Sequence, residues 1–207
     1  MVAAIRIRQT GGPEVLSYED VELPPPGPGE LRVRQTAIGV NFIDVYFRTG
    51  RYPTALPFIP GQEGAGVVEA LGEGVTGFAV GDRVAFAATL GSYATHRNIA
   101  ADRAVPLPAA IADETAAAMM LKGMTAQYLL RRTFKVERGQ TILVHAAAGG
   151  VGLILCQWAA HLGATVIGTV GSEEKAALAR AHGCHHTILY REQDFVAEVK
   201  RITGGEK

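Results

Sequence analysis

The residues with the clearest capacity for chemistry lie in one loop, His145-Ala146-Ala147-Ala148-Gly149-Gly150-Val151-Gly152. It follows an apolar, strand-like run and opens a helical pattern. A helix start leaves backbone N–H groups without partners and carries the positive end of the helix dipole, so it suits an anion. Two glycines of the dinucleotide fingerprint G-x-G-x-x-G are present, Gly149 and Gly152, with Ala147 in the first place. In that geometry Gly149 lets backbone approach a pyrophosphate and Gly152 lets the helix pack closely on the strand.

The next strand bears on which dinucleotide this is. An NAD site carries Asp or Glu at the end of that strand, about 20 residues after the loop, for the ribose 2′-hydroxyl. Here the strand ends Gly168-Thr169-Val170-Gly171-Ser172 with no acid, Lys175 follows, and Tyr190 ends the third strand. A hydroxyl from Ser172, an ammonium from Lys175 and a phenol from Tyr190 can meet a 2′-phosphate, which favours NADPH over NADH. Ser172 also reads as the N-cap of the following helix, with Glu173 and Glu174 in its first turn. Those acids would repel a 2′-phosphate if they faced it.

The elements that must position these groups change character near Asp113. Before it the chain reads as short strands around residues 4–8, 31–34 running on toward 40, 66–70, 83–86 and 93–96, with glycines between them and a proline-rich loop at 24–29. That pattern fits a small, strongly bent barrel. From Asp113 a capped helix is expected over 113–121 and a second over 124–132. Strand and helix then alternate: strands at 141–145, 165–169 and 187–190, helices at 151–162, 173–182 and 194–203. Gly163, Gly183 and Gly204 each stand just past a helix, where a left-handed C-cap is wanted. The expected fold class is β plus α/β: a β-rich domain over 1–122, then a parallel α/β domain over 123–207. Three strand–helix units make about half of a six-stranded dinucleotide fold. The chain therefore reads as a fragment ending at Gly204-Gly205-Glu206-Lys207.

Composition narrows the classes. The 207 residues balance 20 Lys+Arg against 20 Asp+Glu, with 48% hydrophobic and 19% charged residues. Disorder is excluded by that hydrophobicity at zero net charge, and nucleic-acid binding is disfavoured because no basic surplus exists. Residues 142–168 carry no Asp, Glu, Lys or Arg, enough length to span a bilayer, but His145, Gln157, His161 and the glycines argue for a buried β-α-β unit and against a membrane partner. Two cysteines, Cys156 and Cys184, allow no disulfide framework and suit a reducing, cytoplasmic setting. Cys156 lies on the apolar face of its helix and reads as inert packing. His182, Cys184, His185 and His186 crowd one turn, which reads as a surface loop open to adventitious metal only.

Stretches spread over the chain carry a family resemblance. They are Gly11-Gly12-Pro13-Glu14-Val15-Leu16, Ala37-Ile38-Gly39-Val40-Asn41-Phe42-Ile43-Asp44, Gly61-Gln62-Glu63-Gly64-Ala65-Gly66-Val67-Val68, Gly81-Asp82-Arg83-Val84, Leu121-Lys122-Gly123-Met124-Thr125 and residues 145–152. With these the chain resembles the zinc-independent, ζ-crystallin-like quinone oxidoreductases of the medium-chain dehydrogenase/reductase superfamily. The resemblance implies a GroES-like N-terminal domain followed by a Rossmann-type domain, incomplete here because the family's chains continue beyond Lys207. It implies no zinc: zinc alcohol dehydrogenases place cysteine where this chain has Asn41 and histidine where it has Gln62, and two cysteines cannot make a four-cysteine site.

By likeness, Asn41, Phe42, Ile43, Asp44, Val45 and Tyr46 line the nicotinamide side, and Thr125 and Tyr128 contact the cofactor. Gly149, Gly150, Val151 and Gly152 hold the pyrophosphate, while Gly171, Ser172, Lys175 and Tyr190 surround the ribose phosphate. Tyr46, Tyr52 and Gln62 face the substrate. Asn41 also reads as a buried turn residue, and Tyr52 as a loop anchor. The implied activity is hydride transfer from NADPH to a small-molecule quinone, with hydrogen bonds from Tyr46, Tyr52 or Asn41 to the developing oxyanion. An NADPH-dependent enone or enoyl reductase is the alternative; a non-catalytic NADPH-binding protein, crystallin-like or RNA-binding, is another. The full-length relative is expected to be a homo-oligomer.

Overall fold

A computed structural model describes residues 1–205, and the chain divides into two compact units, Met1–Leu121 and Lys122–Lys207. The last two residues, Glu206 and Lys207, lie outside the described part.

In the first unit, β1 (Val2–Arg6) and β2 (Ser17–Val21) pair antiparallel, Val2 opposite Val21. β3 (Glu30–Gly39), β4 (Glu63–Leu71), β5 (Arg83–Phe86), β6 (His96–Ala100) and β7 (Ala104–Pro106) form an antiparallel sheet in the order β6-β3-β4-β5-β7. The strand alternation explains its two faces. Leu31 and Val33 turn inward to join Val68, Val84, Phe86 and Ile99 in a buried cluster. Arg34 turns outward and pairs with Glu69 at 3.0 Å. The β3–β4 ladder shifts register at Arg32/Val33 and Gln35/Ala37, and such bulges bend a sheet. A helix of two turns, α1 (Phe42–Arg48), leaves the end of β3.

Two expectations need correction here. The strand expected at 93–96 lies at His96–Ala100, preceded by a single bridge between Ala4 and Ala94. Arg97 stands on the inward face of β6 as a cation. It is buried with its guanidinium 5.0 Å from the Phe86 ring centroid, donating to Thr89 O, Leu90 O and Ser92 Oγ. Burial pulls its pKa down to about 10. The two helices expected at 113–121 and 124–132 are one continuous α2 (Asp113–Tyr128), running into a π-helical turn at Leu129–Thr133. Gly123 alone does not stop a helix, and no proline or capping side chain stands beside it. The boundary between the units falls inside α2.

The start of α2 is tied down electrostatically. Asp113 accepts from Thr36 Oγ1 at 2.5 Å and from Arg83 Nη2 at 2.5 Å. The Thr36 hydroxyl first, then Arg83, hold its carboxyl below the usual carboxylate range. Because the folded pKa is depressed, this stabilisation is present above the unfolded value near ~3.9 and is lost as pH falls through the lower folded value. Asp113→Asn is expected to cost about 1 kcal/mol in urea unfolding at pH 7 and almost nothing near pH 2.

The second unit alternates β8 (Thr141–Val144), α3 (Gly150–His161), β9 (Thr165–Val170), α4 (Glu173–Ala181), β10 (His186–Leu189) and α5 (Phe195–Ile202). Its three strands are parallel in the order β10-β9-β8, the first half of a dinucleotide-binding sheet. Gly163, Gly183 and Gly204 close their helices at φ 86, 88 and 67. Cys156 is fully buried with Val144, Val166 and Ala179. The turn after α4 is a surface turn, with His185 and His186 exposed. Cys184 is buried, the His185 Nδ1 accepts from Val166 N at 3.0 Å, and His182 Nδ1 lies 2.8 Å from Leu178 O. Among the described residues no group of three or more His, Cys, Asp or Glu could hold a metal ion. Nor is any described helix long and apolar enough to cross a membrane.

Candidate functional site

The loop between β8 and α3 is shaped by its own backbone. Ala146 holds a left-handed φ of 51, Gly149 N donates to Ala146 O at 2.8 Å, and Ala147 N donates across to Thr169 O at 3.1 Å. Gly149 caps α3 in an extended conformation, and the first acceptor used inside the helix is Gly149 O, from Leu153 N. The N–H groups of Gly150, Val151 and Gly152 therefore sit in the first turn, where a helix offers them no acceptor. Gly152 is buried, and a Cβ there would stand 2.3 Å from Ala146 O and 2.8 Å from Ala147 Cα. Ala147, in the place of the first fingerprint glycine, is completely buried and packs in the core of the unit.

Beside this loop is a cavity of about 140 Å³ lined by Ala146, Ala148, Gly149, Gly171, Lys175 and Tyr190. The structure thus brings Gly149, Gly171, Lys175 and Tyr190 together, and no carboxylate lines the cavity. A Cβ on Gly171 would meet the Tyr190 hydroxyl at 2.8 Å, so only glycine leaves that space open. Ser172 does cap α4: its Oγ accepts from Lys175 N at 3.3 Å. One of the two acids after it, Glu173, is 3.8 Å from Arg180. Thr125 and Tyr128 lie one turn apart on α2, Tyr128 exposed. An anionic dinucleotide fits these residues: unpaired N–H groups at a helix start, a cation, a phenol and a glycine-lined space.

The second group of candidates is in the first unit. Asn41 lies two residues past β3, is buried and caps α1. Its N–H donates to Asp44 Oδ2 at 3.0 Å and its Nδ2 to Glu63 Oε1 at 2.7 Å. Asp44 is buried and also accepts from the Tyr93 hydroxyl at 2.8 Å. Burial, and then this bond to Asp44, push the Tyr93 phenol well above its ordinary pKa. Asn41, Asp44 and Val45 line a cavity of about 300 Å³ with Ile7, Pro60 and Tyr93. Ile43 sits half-buried on α1, whereas Phe42 is exposed beside Tyr46, ring centroids 5.3 Å apart. Tyr52 lies 5.3 Å from Tyr46 on the other side. Gln62 is buried, and its Nε2 has no partner among the described residues.

The residue that sequence reasoning passed over is Glu63. It is completely buried, and its second oxygen accepts from Leu121 N at 2.7 Å, so one carboxylate ties the cap of α1 to α2. The available signal was an acid opening an otherwise apolar strand, Glu63-Gly64-Ala65-Gly66-Val67-Val68. The donor set does not fit zinc. Asn41 and Gln62 offer neutral amides, the Asn41 nitrogen is committed to Glu63, and both cysteines are in the core of the second unit.

Fold and site together define a GroES-like unit followed by part of a Rossmann-type dinucleotide unit. Residues 27–138, more than half of the sequence, match the alcohol dehydrogenase GroES-like domain, and the chain belongs to that family. Residues 150–207 match the zinc-binding dehydrogenase family. The whole chain is 54% identical to a quinone oxidoreductase of Pseudomonas aeruginosa and 51% identical to a 2-haloacrylate reductase of Burkholderia sp, covering 64% of each. It superimposes on the Escherichia coli quinone oxidoreductase complexed with NADPH with a TM-score of 0.97 at 49% identity, over 99% of this chain and 64% of that one. The chain therefore spans just under two thirds of the length of these relatives.

Proposed function

We propose that the chain serves a metal-independent, NADPH-dependent oxidoreductase whose acceptor is a quinone. The observation that carries this is the acid-free cavity where Gly149, Gly171, Lys175 and Tyr190 meet beside the first turn of α3. The second unit is the dinucleotide-binding domain: Gly149, Gly150, Val151 and Gly152 take the pyrophosphate through backbone N–H groups, and Lys175, Tyr190 and the Ser172 hydroxyl take the 2′-phosphate. Thr125 and Tyr128 add cofactor contacts. The first unit is the substrate domain, in which the segment Asn41 to Tyr46 faces the nicotinamide. When bound, the reduced nicotinamide supplies a hydride. Gln62, with its buried unpaired Nε2, and the Tyr46 and Tyr52 hydroxyls then donate hydrogen bonds to the acceptor oxygen as charge develops on it. Asn41 acts through its fixed position, since Glu63 already holds its amide nitrogen. Two buried free thiols suit a cytoplasmic setting.

A second reading, reduction of an activated alkene such as an enone, is favoured by the likeness to the 2-haloacrylate reductase. Turnover of a benzoquinone and an enone under identical conditions ranks the two. The cofactor assignment is tested by titrating the chain with NADPH and NADH while following nicotinamide fluorescence. NADPH is expected to bind at least about tenfold more tightly, and Lys175→Ala to remove most of that difference, since a charge-assisted phosphate contact is worth about 1.5–3 kcal/mol. Equal affinity for both cofactors in the unaltered chain refutes the 2′-phosphate assignment.

A further inference from the structure

The chain reverses just after α1. Gly50, at a left-handed φ of 76, donates its N–H to Phe47 O at 3.1 Å, and the Tyr52 N–H reaches back to Tyr46 O at 3.1 Å. This turn returns Arg51 and Tyr52 onto the helix they have just left. Tyr46 consequently has the Phe42 ring on one side, the Tyr52 ring on another and the Arg51 guanidinium carbon 4.7 Å from its centroid. Phe42 and Tyr52 stay 71% and 43% exposed, so the cluster is an open aromatic patch rather than core.

Arg51 is the member without a structural task. Other arginines of this unit are engaged: Arg8 with Glu19, Arg34 with Glu69, Arg83 with Asp113, and Arg48 donating to Gly11 O. Arg51 makes no ion pair and no hydrogen bond among the described residues; its only recorded contact is the Tyr46 ring. The contact with the Tyr46 ring holds the exposed guanidinium in place and leaves its forked N–H donors without a protein acceptor among the described residues. The only acid in the segment 42–52, Asp44, is buried and already accepts from Asn41 N and the Tyr93 hydroxyl. Arg51 thus brings an exposed cation with no acid paired to it among the described residues to the edge of the patch.

A fixed fork of free donors beside exposed aromatic faces suits a planar, conjugated molecule that bears an anionic group: the rings take its face, and the fork takes a carboxylate or sulfonate with two parallel hydrogen bonds. We propose that Arg51 is a specificity-determining residue that selects acceptors carrying an anionic substituent next to the reducible system. This rests on the reading of Tyr46 and Tyr52 as substrate-facing residues.

The test uses two acceptors that differ by one sulfonate group, 1,2-naphthoquinone and 1,2-naphthoquinone-4-sulfonate, with the 207-residue chain and its Arg51→Gln and Arg51→Lys variants, so that the intrinsic difference between the quinones cancels when the ratio is compared across proteins. The ratio of kcat/KM for the sulfonate over the neutral quinone is expected to fall about tenfold in Arg51→Gln, with Arg51→Lys between, because one charge-assisted contact is lost. The ratio in the unaltered chain should also shrink as salt is raised from about 0.02 to about 0.5 M. A mere packing role for Arg51 moves both acceptors together and leaves the ratio unchanged, which overturns the proposal. Calorimetric binding of the sulfonate without cofactor separates this inference from the proposed reaction. Tenfold weaker binding by Arg51→Gln with no turnover of either quinone refutes the reaction and upholds the anion site, whereas equal binding by both proteins refutes the anion site whatever the turnover.

Discussion

Gly152→Ala is expected to destabilise the second unit by about 3 kcal/mol, the upper range for overpacking a closed site, and to abolish measurable NADPH binding. The added methyl would stand 2.3 Å from Ala146 O and 2.8 Å from the Ala147 backbone. Neither atom can withdraw cheaply. Ala146 already holds a left-handed φ of 51, its carbonyl accepts from Gly149 N, and Ala147 N is pinned to Thr169 O at 3.1 Å. The helix must therefore move off the strand, which takes the first-turn N–H groups away from any pyrophosphate. Gly149→Ala is the graded comparison, because its Cβ meets Ala146 O at 3.1 Å, a contact that small shifts relieve. Trp158 is the sole tryptophan and packs against the core of this unit, so its fluorescence in urea reports the unit's stability directly. An unchanged unfolding midpoint for Gly152→Ala would show that the loop can shift and that the close approach is not what requires glycine.

The second large effect is expected at Glu63. Glu63→Leu removes the oxygens that the buried Asn41 Nδ2 and the part-buried Leu121 N–H now reach at 2.7 Å each. An orphaned buried donor costs about 1–3 kcal/mol, so the loss of the Asn41 partner alone should cost the first unit about that much. Glu63→Gln keeps one acceptor for Leu121 N but turns an NH2 group toward the Asn41 NH2 group. Pairing it with Asn41→Asp reverses donor and acceptor across that contact and should recover about 1–2 kcal/mol, within the usual range of coupling between touching residues. Thermal unfolding by circular dichroism gives the cycle, and hydrogen exchange at the Leu121 amide reads the local bond. Additive single and double variants would mean that Glu63 and Asn41 do not act as a unit.

The two sites differ in how far the sequence alone determined them. The glycine loop 145–152 and the acid-free end of β9 were readable, since a strand, a turn and a helix start are local geometry with spacing set by the chain itself, and Lys175 and Tyr190 do line one cavity with Gly149. The strand and helix pattern after residue 140 was readable for the same reason, as its periodicity and glycine caps are local signals. Missed were the features whose partners are far away in sequence. Arg97 carries no local sign of burial; its place is set by Phe86 and residues 89–92, which close over it. Continuous α2 looked like two helices because Gly123 weakens the local pattern, while burial holds the helix together. The turn at 182–186 reads as a surface loop and lies at the surface, but the burial of Cys184 and the bond from Val166 N to His185 depend on a strand 18 to 19 residues away. Glu63 shows the division most plainly. A carboxylate beside glycines carries no periodic signature, and its value depends on two donors 22 residues before it and 58 after it. Whether a buried charge is tolerated is decided by the partners that tertiary structure brings within hydrogen-bond reach, and no local stretch of sequence states which those are.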